Sequence, residues 1–168
     1  MDLAVIEALY PDHVAHQERA YAEALREAGF DAVVVQSGTA QKKTSFDDAY
    51  WPLRPTPFFH HWVALYEPGC FLVIEPGHKP RLYWPECKDF WERPAPPEST
   101  AFMHVLDVRR VATPELPAGK RVAWIGDDVA RAEALGIASD DRNPTKLLAA
   151  LDRLRTTKTG YEIACLVE

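Results

Sequence analysis

Asp31-Ala32-Val33-Val34-Val35-Gln36, read as DAVVVQ, is the stretch that decides the fold. Its apolar residues run together instead of alternating. A short unbroken run bounded by turn residues is a β-strand covered on both faces, the mark of a parallel sheet lying between helices. Upstream, Val14, Tyr21, Ala22 and Leu25 recur at helical spacing through 13–28, with Asp12 placed as N-cap and Gly29 as the stop. A helix leading into a doubly buried strand points to an α/β layered structure.

The same reading extends downstream. Residues 37–58 hold Ser37-Gly38, the polar run 41–45, Asp47-Asp48 and three prolines, Pro52, Pro55 and Pro57. That composition predicts a long loop without regular elements. Tyr50, Trp51, Phe58 and Phe59 are interleaved with it, and so many rings favour an ordered, exposed loop over disorder. Strands are expected at 61–66, 70–75 and 81–84, joined by Pro68-Gly69 and Pro76-Gly77 as an antiparallel meander, which makes the sheet mixed. Cys87 to Trp91 has the look of one helical turn, 93–99 of a rigid connector, and 105–112 of an edge strand. A second buried strand is expected at 122–125, followed by helices over 129–135 and 145–155, the latter with Asn143 as cap and Pro144 at its first position. Tyr161, Ile163, Ala164, Leu166 and Val167 then begin another amphipathic helix that has no stop signal. Such a short helix gains little by itself, so it reads as the start of a linker into a further domain. The organisation expected is a domain over 1–155 and a linker helix over 156–168. The fold class is α/β, three-layer, with a mixed sheet of about five to six strands and helices on both faces.

Composition narrows the functions available. The formal net charge of -6 leaves no footprint for nucleic acid or for an anionic membrane surface. No apolar stretch approaches the length of a membrane span. Three cysteines, Cys70, Cys87 and Cys165, form no C-x-x-C pair, which argues against a disulfide framework or zinc ribbon and fits a reducing cytoplasm. Gly126-Asp127-Asp128 follows a strand and opens a helix, but lacks the glycine pattern of a phosphate loop. Its acids are expected to complement the helix dipole. Ser37-Gly38 is no nucleophile elbow. His13 and His16 are expected on the helix surface. His60 and His61, if extended, would face opposite ways and could not chelate one ion together. No metal site is expected in these residues.

Several motifs in order resemble the amino-terminal domain of bacterial prolidases, the Xaa-Pro dipeptidases. Gln17-Glu18-Arg19 lies in the first helix and Ser37-Gly38 follows the strand. Phe46-Asp47-Asp48-Ala49-Tyr50-Trp51-Pro52-Leu53-Arg54 is similar to the family's F-L-D-D-x-x-Y-P-F-K. Thr56-Pro57, Trp62, Cys70 to Val73, Lys79 to Leu82 and Asp89-Phe90-Trp91 follow in sequence, and 155–165 resembles the approach to the catalytic domain. Pro55-Thr56 and His60-His61 depart from the pattern. The resemblance implies a creatinase/prolidase amino-terminal fold that pairs subunits and sends a loop over the partner subunit's active site. It implies that the parent protein cleaves dipeptides with C-terminal proline, and in some relatives organophosphorus esters. The dinuclear centre, commonly manganese, would lie in a pita-bread catalytic domain outside this chain, which would itself be inactive and bind no cofactor. Its partners would be that catalytic domain, a homodimeric subunit and the dipeptide.

Asp48 matches the family position that reaches toward substrate, and a carboxylate there would attract a dipeptide's free ammonium. Asp47 reads as a turn residue. Trp91 could form an aromatic wall against the proline ring, with Tyr50 and Trp51 sharing that work or lying in the subunit contact. Arg54 could pair with the aspartates. The competing reading is a free-standing binding module of the same fold without catalysis.

Overall fold

The computed structural model describes residues 3–46, 48–86, 97 and 99–167. The buried valine run forms the strand β1 (Ala32–Gln36), whose five residues are all buried. Around it lie β2 (Phe71–Ile74), β3 (Arg81–Tyr83), β4 (Asp107–Arg109) and β5 (Val122–Ile125), in the order β4-β3-β2-β1-β5. β1 pairs antiparallel with β2, Val34 opposite Val73, and parallel with β5, Val34 opposite Trp124. β3 runs antiparallel to β2 and parallel to β4. The sheet is mixed and five-stranded, within the expected range.

Period-two alternation divides these strands between two cores. Val33, Val35, Leu72, Ile74, Leu82, Ala123 and Ile125 face one side. There they meet α2 (Tyr10–Ala28), α3 (Pro57–His60), α4 (Phe102–Val105) and α6 (Thr145–Leu154). Ala32, Val34, Phe71, Val73, Tyr83 and Trp124 face the other, against Ala132 of α5 (Val129–Ala134) and Ile137 beyond it. Helices therefore cover both faces, unequally. Two further helices, α1 (Leu3–Ala8) and α7 (Gly160–Leu166), pack against each other and against α2.

Several boundaries differ from expectation, each for a physical reason. α2 starts at Tyr10, ahead of the proposed Asp12 cap. Pro11 sits in its first turn, where its missing N–H costs nothing, and Asp12 complements the dipole from inside the helix. The predicted strand over 61–66 does not form. β2 already has β1 and β3 on its two edges, so no ladder position is left. That segment instead follows α3, a short helix that starts at the end of the supposed irregular loop, and together the two bury Phe59, Trp62, Val63 and Leu65 beneath α2. The Pro76-Gly77 turn does join β2 to β3, with Gly77 at φ 83°. The edge strand is shorter than predicted, Asp107–Arg109, with residue 105 taken up by the helix that precedes it. Asn143 does not cap α6. It takes a φ of 48°, and its amide bonds both the N–H and the C=O of Gly126, tying the helix start to the end of β5. The predicted helical turn over 87–91 and most of the connector after it lie outside the described residues.

Candidate functional site

The loop leaving β1 is fastened before it projects. Ser37 is buried and its hydroxyl donates to the carbonyl of Glu67 while accepting the N–H of Cys70. Gly38, at φ 132°, is packed against Leu53, and a Cβ there would meet the leucine at 3.2 Å. Thr39 donates to Asp127 across the end of the sheet at 2.9 Å. The returning chain is fixed by Thr56, whose N–H donates to the Ser37 carbonyl and whose hydroxyl donates to that of Gln36. Between these anchors the chain makes a small hairpin. Trp51 N–H donates to Gln41 O at 2.9 Å, Lys43 N–H to Ala49 O at 2.8 Å, and Lys42 pairs with Tyr50 as a β-bridge.

Strand alternation sorts the side chains on this hairpin. Lys42 reaches Asp48 at 3.3 Å and lies 5.8 Å from the Tyr50 ring centre, so these three share one face. Lys43 lies 5.4 Å from the Trp51 ring centre on the other. Asp48 projects fully into solvent, and Tyr50, Trp51 and Phe46 are 44%, 59% and 98% exposed. The structure thus brings Asp48 and Tyr50 together and sets Trp51 on the opposite face of the same hairpin. The counterion of Asp48 is Lys42, not Arg54 as proposed. Asp47 and Trp91 lie outside the described residues.

A second cluster was not recognised from the sequence as a unit. His13 was placed on the helix surface; it is instead buried, whereas His16 is exposed. One ring nitrogen of His13, Nε2, donates to the carbonyl of His61 at 2.8 Å, and Nδ1 contacts the Thr159 hydroxyl at 2.8 Å. Gln17 reaches His61 Nε2 at 2.8 Å, and Glu162 lies 3.5 Å from the same atom. His60 is the last residue of α3 and His61 its helical C-cap, so neither lies in an extended strand. His60 turns outward against Tyr66 while the His61 side chain is only 5% exposed. Burial holds both His13 and His61 below the usual imidazole range, His61 at about 4. For Glu162, burial alone would raise the carboxyl, but the Thr159 N–H, His61 and Lys158 bring it below its usual value. Only the i,i+4 spacing of His13 and Gln17 on one helix face hinted at this cluster.

Among the described residues no group of three or more His, Cys, Asp or Glu side chains is arranged to hold a metal ion. A dinuclear centre therefore does not fit the described residues. At the start of α5, Asp128 accepts the Arg131 N–H at 2.9 Å and works as the cap, while Asp127 is engaged by Thr39. No described helix is long and apolar enough to cross a membrane.

Comparison with known proteins agrees with this architecture. A family model described as "Xaa-Pro dipeptidase, N-terminal domain" matches residues 8–152. The Xaa-Pro dipeptidase of Pseudoalteromonas atlantica is 32% identical over 165 residues, covering 94% of this chain and 37% of the relative. That of Serratia proteamaculans is 31% identical over 173 residues, covering 99% and 39%. The chain thus spans under two-fifths of the length of these curated relatives. Among solved structures, Escherichia coli aminopeptidase P and proline aminopeptidase P II from Yersinia pestis align over 82% of this chain and 33% of theirs. Their identities are 15% and 16% and both TM-scores are 0.38, a likeness that carries no argument of its own. With the family model spanning the whole sheet and all but the outermost helices, the chain belongs to the Xaa-Pro dipeptidase amino-terminal domain family.

Proposed function

We propose that this chain is the dimerising and substrate-gating part of a cytoplasmic Xaa-Pro dipeptidase, and that peptide cleavage belongs to a metal centre it does not carry. The observation behind this reading is the hairpin over 41–51. It is fixed at its base and carries Asp48, Tyr50 and Trp51 away from the core. An exposed carboxylate beside the Tyr50 ring, with Trp51 on the opposite face of the hairpin, suits a surface that closes over a dipeptide bound by another subunit. The carboxylate would take the free ammonium and Tyr50 would exclude water from the proline, while Trp51 is left for the contact between subunits. In the isolated chain Asp48 is matched by Lys42, a solvent-screened exposed pair that a substrate ammonium can displace. In this reading 156–168 leads toward the catalytic region.

The test has two arms. The 168-residue chain, supplied with manganese, is expected not to hydrolyse Xaa-Pro dipeptides. In a protein that carries this domain together with the catalytic one, Asp48→Ala should lower kcat/KM roughly 10- to 100-fold without changing Tm. That range corresponds to losing one charge-assisted hydrogen bond of about 1.5–3 kcal/mol. Turnover by the chain alone, or unchanged kcat/KM across several dipeptides, would overturn the proposal.

A further inference from the structure

The hairpin over 41–51 carries a cation beside its carboxylate. Lys42 is the middle residue of one arm. The bonds from Lys43 N–H to Ala49 O and from Trp51 N–H to Gln41 O lie on either side of it, and its own backbone forms the bridge with Tyr50. The backbone of Lys42 is therefore held, while its side chain, 46% exposed, can pivot. Its ammonium lies 3.3 Å from Asp48 and 5.8 Å from the Tyr50 ring centre, so it reaches both groups on that face. Lys43 lies over Trp51 on the opposite face.

A dipeptide laid on this face meets all three groups. The α-ammonium and the proline ring stand at the two ends of an Xaa-Pro dipeptide, and the Xaa side chain branches from the carbon between them. With the ammonium on Asp48 and the ring against Tyr50, Lys42 is left beside the Xaa side chain. The arriving ammonium takes the place of Lys42 at Asp48, yet the lysine stays close by because its backbone is fixed in the bridge. A positive charge released from its carboxylate then stands next to Xaa. The carboxylate carbon of an acidic Xaa is three bonds from the ammonium nitrogen in Asp-Pro and four in Glu-Pro. Such a group falls between the two cations and takes a charge-assisted hydrogen bond from the lysine. A neutral Xaa offers the lysine nothing. A basic Xaa meets a like charge, and closure of the site against water weakens the screening between them.

We propose that Lys42 selects among dipeptides by the charge of Xaa, favouring acidic Xaa-Pro substrates and disfavouring basic ones. This selection rests on the reading of Asp48 and Tyr50 as substrate contacts. In this role Lys42 acts on the Xaa side chain and not on the bond being cleaved, so its effect shows in the comparison of substrates. Lys43 has the same charge and is its neighbour in sequence, but strand alternation turns it to the other face. It therefore separates a local contact from a general effect of net charge.

Steady-state kinetics on a protein that carries this domain together with the catalytic one test it, with Glu-Pro, Ala-Pro and Lys-Pro as substrates. Lys42→Met is expected to lower the ratio of kcat/KM for Glu-Pro over Lys-Pro roughly tenfold, and Lys42→Glu to lower it further. Lys43→Met should leave that ratio where it was. A ratio unmoved by Lys42→Met, or moved as far by Lys43→Met, would overturn the selection. So would equal losses for all three dipeptides, which would place the lysine on the proline carboxylate they share. Asp48→Ala tells these failures from failure of the gating reading. If it lowers kcat/KM for all three dipeptides while Lys42→Met leaves the ratio alone, only the selection falls. If it changes none of them, the gating reading fails and the selection fails with it.

Discussion

Beside the buried Gln36, Gly126 leaves no room for a side chain. A Cβ built there would lie 2.4 Å from the Gln36 amide oxygen and 2.6 Å from its Cβ, with the Trp124 indole nitrogen at 3.2 Å. That amide oxygen also accepts the Asp128 N–H at 3.0 Å, so moving Gln36 aside would strip a bond from the start of α5. Gly126→Ala is therefore expected to destabilise the fold by about 1–3 kcal/mol through overpacking. An unchanged denaturant midpoint would show that the β1–β5 junction is looser than this geometry implies. The residues that matter most here, Gln36, Gly126 and Asn143, lie far apart in the chain and carry no local signature. Asp48 differs from them. Its run of acids and aromatics between prolines is conspicuous in the sequence, although its counterion Lys42 was not foreseen.

The long elements follow from patterns that any reader of the sequence can see. The Val33 to Val35 run and the apolar face of α6 were both expected close to where they lie. Leu147 and Leu151 are fully buried on that face, and α6 packs along α2 on the larger core. Leu151→Ala should cost about 2–5 kcal/mol, the usual range for a buried leucine truncated where neighbours cannot close the gap. Urea unfolding followed by tryptophan fluorescence would measure it, and a loss well under 1 kcal/mol would mean that the α2–α6 contact relaxes freely. Short elements behaved otherwise. Residues 61–66 have strand-like composition yet fold as irregular core, because pairing depends on a free strand edge and β2 has none. Local propensity yields to such competition.

For the molecule as a whole, the buried histidines set an acid limit. Both His13 and His61 titrate below their ordinary value in the folded chain, because burial disfavours the charged ring. The unfolded chain then binds these protons first. Stability is complete above about pH 6.5, the ordinary histidine value. It is lost as the pH falls toward the folded value of about 4 for His61. Glu162 acts in the same direction: its carboxyl is depressed in the fold, so its contribution is present above its ordinary range and fades below it. Stability measured by urea unfolding between about pH 8 and about pH 4.5 should be flat on the alkaline side. On the acid side it should fall with a slope of up to about 1.4 kcal/mol per pH unit for each histidine. A profile flat through that acid range would place both rings in contact with solvent.

By itself the sequence determined the α/β class, the central buried strand, the long helices and the aromatic loop with Asp48, because each depends on periodicity or composition within one short segment. Tertiary structure alone decided the strand order, the fate of 61–66, and the union of His13, Gln17, His61, Thr159 and Glu162. Those outcomes depend on which distant groups compete for the same ladder edge or the same buried hydrogen bond, and that competition is resolved only when the chain is packed.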